Sequence, residues 1–285
     1  MTDTAPPVKI WFQKHTVEGR LPGLDEAYRQ HFTAVARPGT EVTIHTLPTE
    51  TYAANVPEGM VRYGSAEALF SSYFSVRAAM AGQQGYNAFI IGASQDPGLQ
   101  EARALADIPV LGYGETAVHL AAMTGRSIGV VGFIPELEEP IRENLMRFGL
   151  AHRVRGFAYL ESGPDLIVEG LRGSPERFLA AFGEAADRLV ADGAEIIMPG
   201  EGLPNEILWA AGVREHAGAA ILDVDGALIK VAELLVDLQR LGSLGTSANS
   251  YRSRRLPAET LRHLIRLFQP ACLAAAPPPG LPSGQ

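Results

Sequence analysis

The sequence predicts an α/β fold built on parallel sheets, and three observations carry that prediction. Six short apolar runs, most of them rich in β-branched residues, recur along the 285 residues: 8–12 (VKIWF), 41–47 (EVTIHTL), 87–92 (NAFIIG), 127–133 (SIGVVGF), 195–200 (EIIMPG) and 219–224 (AAILDV). Longer stretches of helical character separate them, the alternation expected of βαβ units. The runs are apolar nearly throughout instead of alternating with polar residues, as strands covered on both faces require.

Taken in order, the first run leads into residues 14–23 (KHTVEGRLPG), which read as a loop at the carboxyl end of a strand, where open α/β sheets bind ligands. A helix is predicted over 65–82, with Ser65 as N-cap and Gly82 as stop. The run at 87–92 ends in small residues, and Asp96-Pro97 then reads as the N-cap and first position of another helix. The side chains delivered to that turn are Ala93, Ser94 and Gln95. A short strand (IPVLG) precedes GYGETA at 112–117, which fits G-x-G-x-x-A. Because that strand is short and late in its lobe, a tight turn into a helix is expected instead of a dinucleotide loop. The pattern begins afresh at 127, placing a lobe boundary near 122–127. A second long helix is predicted over 174–193, from Ser174 to Gly193. The tail from 274 (AAAPPPGLPSGQ) cannot form a packed element.

Composition narrows the function. A formal charge of −8 leaves no basic surface for nucleic acid, and YRSRR at 251–255 reads as a solvated loop or a subunit contact. The single cysteine, Cys272, excludes an intrachain disulfide and a cysteine-based zinc site. With no basic-then-apolar leader and no 18-residue apolar run, a cytoplasmic location away from membranes is expected. The seven histidines lack metal-binding spacing, so no metal is expected.

Two segments match each other. NAFIIGASQDPGLQEA (87–102) and AEIIMPGEGLPNEIL (194–208) each give a buried strand, a few small or polar residues, then Pro and a helix. An internal duplication would set the two strand ends, near Ala93 and Glu201, facing each other across a cleft. GASQD misses the nucleophile elbow by its last residue, so Ser94 reads as a local hydrogen-bonding group. Gln13, Lys14 and His15 cluster at the end of the first strand. Glu201 leaves a buried strand for a glycine-bounded turn ahead of a helix. Desolvation raises its pKa there and the helix N-terminus lowers it, a balance suited to a general base.

At DPGLQEARALADIPVLGYGETAVHLA (96–121), GAEIIMPGEG (193–202), ILDVDGALIKVAELL (221–235) and LGSLGTS (241–247), the chain resembles the aspartate/glutamate/hydantoin racemase superfamily, in its hydantoin racemase branch. The resemblance covers most of the chain in order. It implies two pseudo-symmetric lobes, each a mostly parallel sheet flanked by helices, with the active site between them. The expected divisions are 1–124, 125–224, C-terminal helices at 225–270 packing back on the first lobe, and a Pro-rich tail at 271–285. Family members use one cysteine thiol from each lobe, and the matching positions here are Ala93 and Glu201.

The one-sided cleft so implied is expected to favour hydrolysis of a small hydantoin-like or carboxylate substrate. Glu201 would be the general base, and Lys14 or His15 would supply charge or the acid. Isomerase or racemase-type, lyase or decarboxylase chemistry is the alternative, and simple ligand binding a further one. Substrate contacts are expected from Gln13, Ala93, Ser94, Gln95, Glu115, Thr116, Gly132, Phe133, Gly200 and Gly202. Backbone N–H groups at 94–96 and 202–203 would hold an oxyanion. No cofactor is expected, and the resemblance implies a homodimer or larger homo-oligomer.

Overall fold

The computed structural model describes residues 6–21 and 23–268; Cys272 and the Pro-rich tail lie outside them. The first four strands, β1 (Val8–Val17), β2 (Thr40–Leu47), β3 (Ala88–Gly92) and β4 (Val110–Gly112), form an all-parallel sheet ordered β2-β1-β3-β4. A second sheet is ordered β6-β5-β7-β9-β8, from β5 (Ile128–Gly132), β6 (Val154–Tyr159), β7 (Ile196–Pro199), β8 (Glu215–His216) and β9 (Ala219–Ile221). It is parallel except for β8, which pairs antiparallel with β9. This is the α/β class the apolar runs predict.

Helices α1 (Leu24–Val35), α2 (Glu58–Val61), α3 (Gly64–Gln83), α4 (Leu99–Leu105) and α5 (Tyr113–Thr124) accompany the first sheet. The second has α6 (Glu138–Arg147), α7 (Gly163–Leu171), α8 (Glu176–Ala191) and α9 (Gly202–Ala210). After β9, α10 (Val224–Arg240) returns to pack on α1, α5, β1 and β3, so the last long helix braces the first sheet. The final helix, α11 (Ala258–Phe268), lays Leu261 and Ile265 against Val76 and Ala79 of α3.

Central strand β1 is buried along nearly its whole length, with Ile10, Trp11 and Phe12 almost wholly excluded from solvent. Full burial of each such side chain contributes about 1.5–3 kcal/mol. Phe12 also orients α1, since its ring lies 5.3 Å from that of Tyr28 and 4.8 Å from that of Phe32. Spaced at i, i+3 and i+4, Tyr28, His31 and Phe32 form the buried face of α1.

Several local predictions are corrected. Strand β1 runs on to Val17, so residues 14–17 are strand and not loop. Ser65 lies inside the first turn of α3, after Tyr63 at the N-cap, and Pro175, not Ser174, occupies the N-cap of α8. Gly82 is within α3, whereas Gly193, at φ 90°, does follow the end of α8. Asp96 does not cap the next helix. Gly98, at φ 70°, precedes α4, and the Asp96 carboxylate instead accepts the Gly114 and Glu115 N–H groups at the start of α5, at 2.9 and 2.7 Å. A Cβ at Gly112 would meet that carboxyl at 2.5 Å, and one at Gly114 the Ser94 carbonyl oxygen at 2.4 Å. Close packing under Asp96 thus explains the glycines of GYGETA.

Gly98 combines a left-handed backbone with a close approach, because a Cβ there would stand 2.3 Å from the Ser71 carbonyl oxygen. Gly98→Ala is therefore expected to cost at least the roughly 1–3 kcal/mol of a strained backbone conformation, read as a lower denaturant midpoint at unchanged slope.

Candidate active site

The carboxyl ends of both sheets meet at one cleft, half-open to solvent. From the first sheet come Lys14, His15 and Thr16 at the end of β1 and Gly92 to Gln95 after β3. From the second come Phe133, Ile134 and Leu137 after β5, and Glu201, Gly202 and Leu203 after β7. Tyr28 of α1, Pro57 and Val61 complete the lining.

Glu201 is the N-cap residue of α9 and is 8% exposed. Its side chain does not cap that helix. It leans toward β5, where Oε2 accepts the Phe133 N–H at 3.2 Å and Oε1 the Ile134 N–H at 3.3 Å. Gly132 permits this, since a Cβ there would approach the carboxylate oxygens at 3.1 and 3.2 Å. Gly200 packs on the Gly132 backbone in the same way, at 3.1 Å. Burial pushes the Glu201 carboxyl up to about 8, against the two N–H groups, which lower it. A carboxyl titrating there is a stronger base than an ordinary glutamate and is partly ionised near neutrality.

On the facing wall the side chain after β3 is only the methyl of Ala93, followed by Ser94, whose buried Oγ has no hydrogen-bond partner. The Asp96 N–H is already donated to the Ala93 carbonyl at 3.0 Å, so it is unavailable to a substrate. Gln95 lines the cleft while its carbonyl accepts from Asn144 Nδ2 at 2.7 Å.

Lys14 and His15 reach the cleft but supply no free positive charge. The Lys14 ammonium is paired with Asp25, and burial lowers its pKa against the raising effect of that partner. Burial pushes His15 down to about 3, so it is a neutral imidazole packed edge-on against Phe70. Its Nε2 and the Thr16 hydroxyl are also unpartnered. Three buried polar atoms therefore line the cleft, a pattern that a bound polar molecule resolves.

Five expected contacts are absent from the lining: Gly132 and Gly200 pack against each other beside Glu201, and three more fall elsewhere. Gln13 points away within β1, where its Oε1 accepts from Trp11 Nε1 at 3.2 Å and its Nε2 donates to the His45 carbonyl at 3.3 Å. Glu115 forms an ion pair with Arg103, and Thr116 is buried in α5; neither lines the cleft. Alternation along a strand extended past residue 12 sends Gln13 and Lys14 to opposite faces. Thr16, Tyr28, Pro57, Val61, Gly92, Ile134 and Leu137 line the cleft without having been anticipated, and Leu203 was expected only for its backbone N–H. Among the described residues, no group of three or more His, Cys, Asp or Glu is arranged to hold a metal ion, and no helix is long and apolar enough to cross a membrane.

The family model for Asp/Glu/Hydantoin racemase matches residues 25–232. A hydantoin racemase from Paenarthrobacter aurescens is 28% identical over 167 residues, covering 58% of this chain and 67% of that protein. One from Pseudomonas sp. (strain NS671) is 28% identical over 186 residues, covering 61% and 70%. Among solved structures, the allantoin racemase from Klebsiella pneumoniae superposes with a TM-score of 0.69 at 23% identity, covering 88% of this chain and 94% of that one. These matches overturn hydrolysis as the expected reaction and favour the isomerase alternative. An empty wall at Ala93 is therefore no argument for an attacking water. The chain belongs to the Asp/Glu/hydantoin racemase family.

Proposed function

We propose that this protein is an isomerase of racemase type, which moves a proton at a carbon next to a carbonyl in a small cyclic ureide of the hydantoin or allantoin kind. The observation that carries this reading is the Glu201 carboxyl, buried on the cleft wall and held on two backbone N–H groups, at the position where the resemblance places a thiol. Glu201 takes the proton, and the C–H electron pair passes into the carbonyl as an enolate. In this reading, N–H groups at the start of α9 and at residues 94 and 95 hold the oxygen. The cleft suits an uncharged ring, since its apolar lining includes Ala93, Phe133, Ile134 and Leu203 and its one lysine is already paired.

A single enantiomer of a 5-substituted hydantoin, or of allantoin, is expected to lose optical rotation in the presence of the protein at unchanged substrate concentration. Retained rotation across both substrate kinds would overturn the assignment. The base must be ionised, so kcat/KM is expected to rise with pH and level off above about 8, where Glu201 titrates. A profile flat from pH 6 to 9 would assign the base elsewhere. The homo-oligomeric state implied by the resemblance belongs to the same reading, and sedimentation of the purified chain reads it.

A further inference from the structure

Proton abstraction requires Glu201 to stand at a fixed distance from a ring held against the facing wall, and the two walls belong to different sheets. Helix α1 joins them. Asp25 in its first turn is paired with Lys14 of β1, and Tyr28 and Phe32 pack on Phe12, so α1 is tied to the strand whose end lines the cleft. Helix α1 also meets α9, the helix that Glu201 precedes, at two points one turn apart. A Cβ on Gly202 would lie 2.7 Å from the Tyr28 hydroxyl, and Glu206 Oε1 is 2.7 Å from His31 Nδ1.

His31 is wholly buried and engaged at both ring nitrogens. Its Nε2 is 2.9 Å from Asp223 Oδ2, and its ring stacks on Trp209 of α9 at 4.3 Å. Asp223 caps α10 by accepting the Gly226 N–H at 3.1 Å. Asn205 of α9 donates to Asp223 at 3.0 Å and accepts the Val224 N–H at 2.8 Å. One imidazole from the first lobe therefore holds both α9 and the cap of α10. The strand before Glu201 is held separately, because the Tyr113 hydroxyl donates to the Pro199 carbonyl at 3.1 Å. Apolar side chains would fill the same interface without desolvating charge, so the polar contacts need a reason beyond stability. What they add is direction: two bonds and a stack fix both the distance and the rotation between the helices.

Resting on the isomerase reading above, we propose that His31 is a positioning residue, holding α9 against α1 so that Glu201 stands at the distance across the cleft from which it reaches the ring carbon. The bond that does this is Nδ1 to Glu206, within α9 itself, whereas the bond to Asp223 serves the cap of α10. Burial opposes charge on His31, but Asp223 and Glu206 outweigh it and raise its pKa to about 9, so both nitrogens donate near neutrality.

Two substitutions separate the bonds. The amide nitrogen of asparagine takes the place of Nδ1 and that of glutamine the place of Nε2, so His31→Asn keeps the Glu206 bond and His31→Gln keeps the Asp223 bond. Both lose the charge, and both are expected to lower the urea midpoint. His31→Gln is expected to lower kcat for inversion of an enantiopure 5-substituted hydantoin by about 10- to 100-fold with KM within about 3-fold, the effect of misplacing a catalytic group by about an ångström. His31→Asn is expected to keep kcat within about 3-fold of the wild type. Glu206→Leu cuts the same bond from the α9 side while removing the unpartnered Oε2, and its kcat is expected to fall with that of His31→Gln. Titration of Glu201, followed by carbon-13 NMR, reads the position without substrate. It is expected near 8 in the wild type and His31→Asn, and lower in His31→Gln and Glu206→Leu, because a loosened α9 admits water to the carboxyl. Equal kcat in His31→Asn and His31→Gln, or wild-type kcat in Glu206→Leu, would mean a structural role only and overturn the positioning. Failure of the wild type to invert either substrate kind would instead overturn the isomerase reading. The Glu201 titration then still decides the positioning, which an unchanged value in both His31→Gln and Glu206→Leu overturns.

Discussion

Glu201→Gln is expected to lower turnover by about 10²–10⁴, the usual worth of a general base, while leaving the fold intact. Glutamine keeps the length and one acceptor oxygen, which at the Oε1 position meets both the Phe133 and the Ile134 N–H groups at 3.3 Å; it removes the basicity together with the second acceptor. The same change has a stability signature of opposite sense. With its folded pKa raised from 4.5 to about 8, Glu201 binds more protons in the folded than in the unfolded chain between those values. The wild type therefore loses stability as pH rises through that window, at about 1.4 kcal/mol per pH unit, and the loss is complete above about 8. Glutamine carries no such penalty. Glu201→Gln is expected to melt above the wild type at pH 9 and level with it near pH 4, and thermal unfolding at the two pH values checks this. A variant both inactive and less stable at pH 9 would mean that Glu201 is structural.

His31→Ala is expected to be the most destabilising single change away from the apolar core, at roughly 3–5 kcal/mol. His31 belongs to α1 beside the first sheet, and its two partners, Glu206 of α9 and Asp223 ahead of α10, belong to the second. Its ring also stacks on Trp209 at 4.3 Å. Alanine would leave Glu206 buried and Asp223 half-buried without their shared cation, and would open a void against the indole. Because the folded pKa of His31 is raised from 6.5 to about 9, its charged contribution is fully present below pH 6.5 and is lost as pH rises through 9. The destabilisation by His31→Ala is thus expected to be largest near pH 6 and smaller at pH 9.5, as measured by urea unfolding. A difference independent of pH would show that packing against Trp209, not the ion cluster, sets the cost.

Most strands were legible in the sequence because parallel strands buried on both faces are written as continuous apolar runs, whereas β2, half-buried at the sheet edge, alternates polar and apolar residues. Two strands escaped for physical reasons. Strand β6 is a sheet edge, so Arg155 and Gly156 interrupt its apolar character, and β8 is a two-residue arm of a hairpin turned by Ala217 and Gly218, both at positive φ. The polar end of β1 was mistaken for a loop because Lys14, His15 and Thr16 are buried by tertiary contacts, Lys14 paired with Asp25 of α1 and His15 packed on Phe70 and Phe74 of α3. Asp96 was misassigned for a related reason: the carboxylate caps a helix that begins 17 residues later, not the one beside it.

Glu201 was legible from its place after a buried strand and a glycine. Tyr28 was not. Its spacing with His31 and Phe32 marks only the buried side of a helix, and nothing local distinguishes a core tyrosine from one whose hydroxyl opens on a cleft. Gln13 failed in the reverse direction, since its neighbours reach the cleft and strand alternation turns it away.

The central claim is that Glu201 removes a proton from carbon, and solvent exchange at that carbon tests it without reference to product. An enantiopure 5-substituted hydantoin is incubated in D₂O with wild type or with Glu201→Gln, and deuterium at the ring carbon is followed by proton NMR against an enzyme-free control. Exchange well above the control with the wild type, reduced by at least about 100-fold in Glu201→Gln, is the predicted result. Exchange that persists undiminished in Glu201→Gln would contradict it.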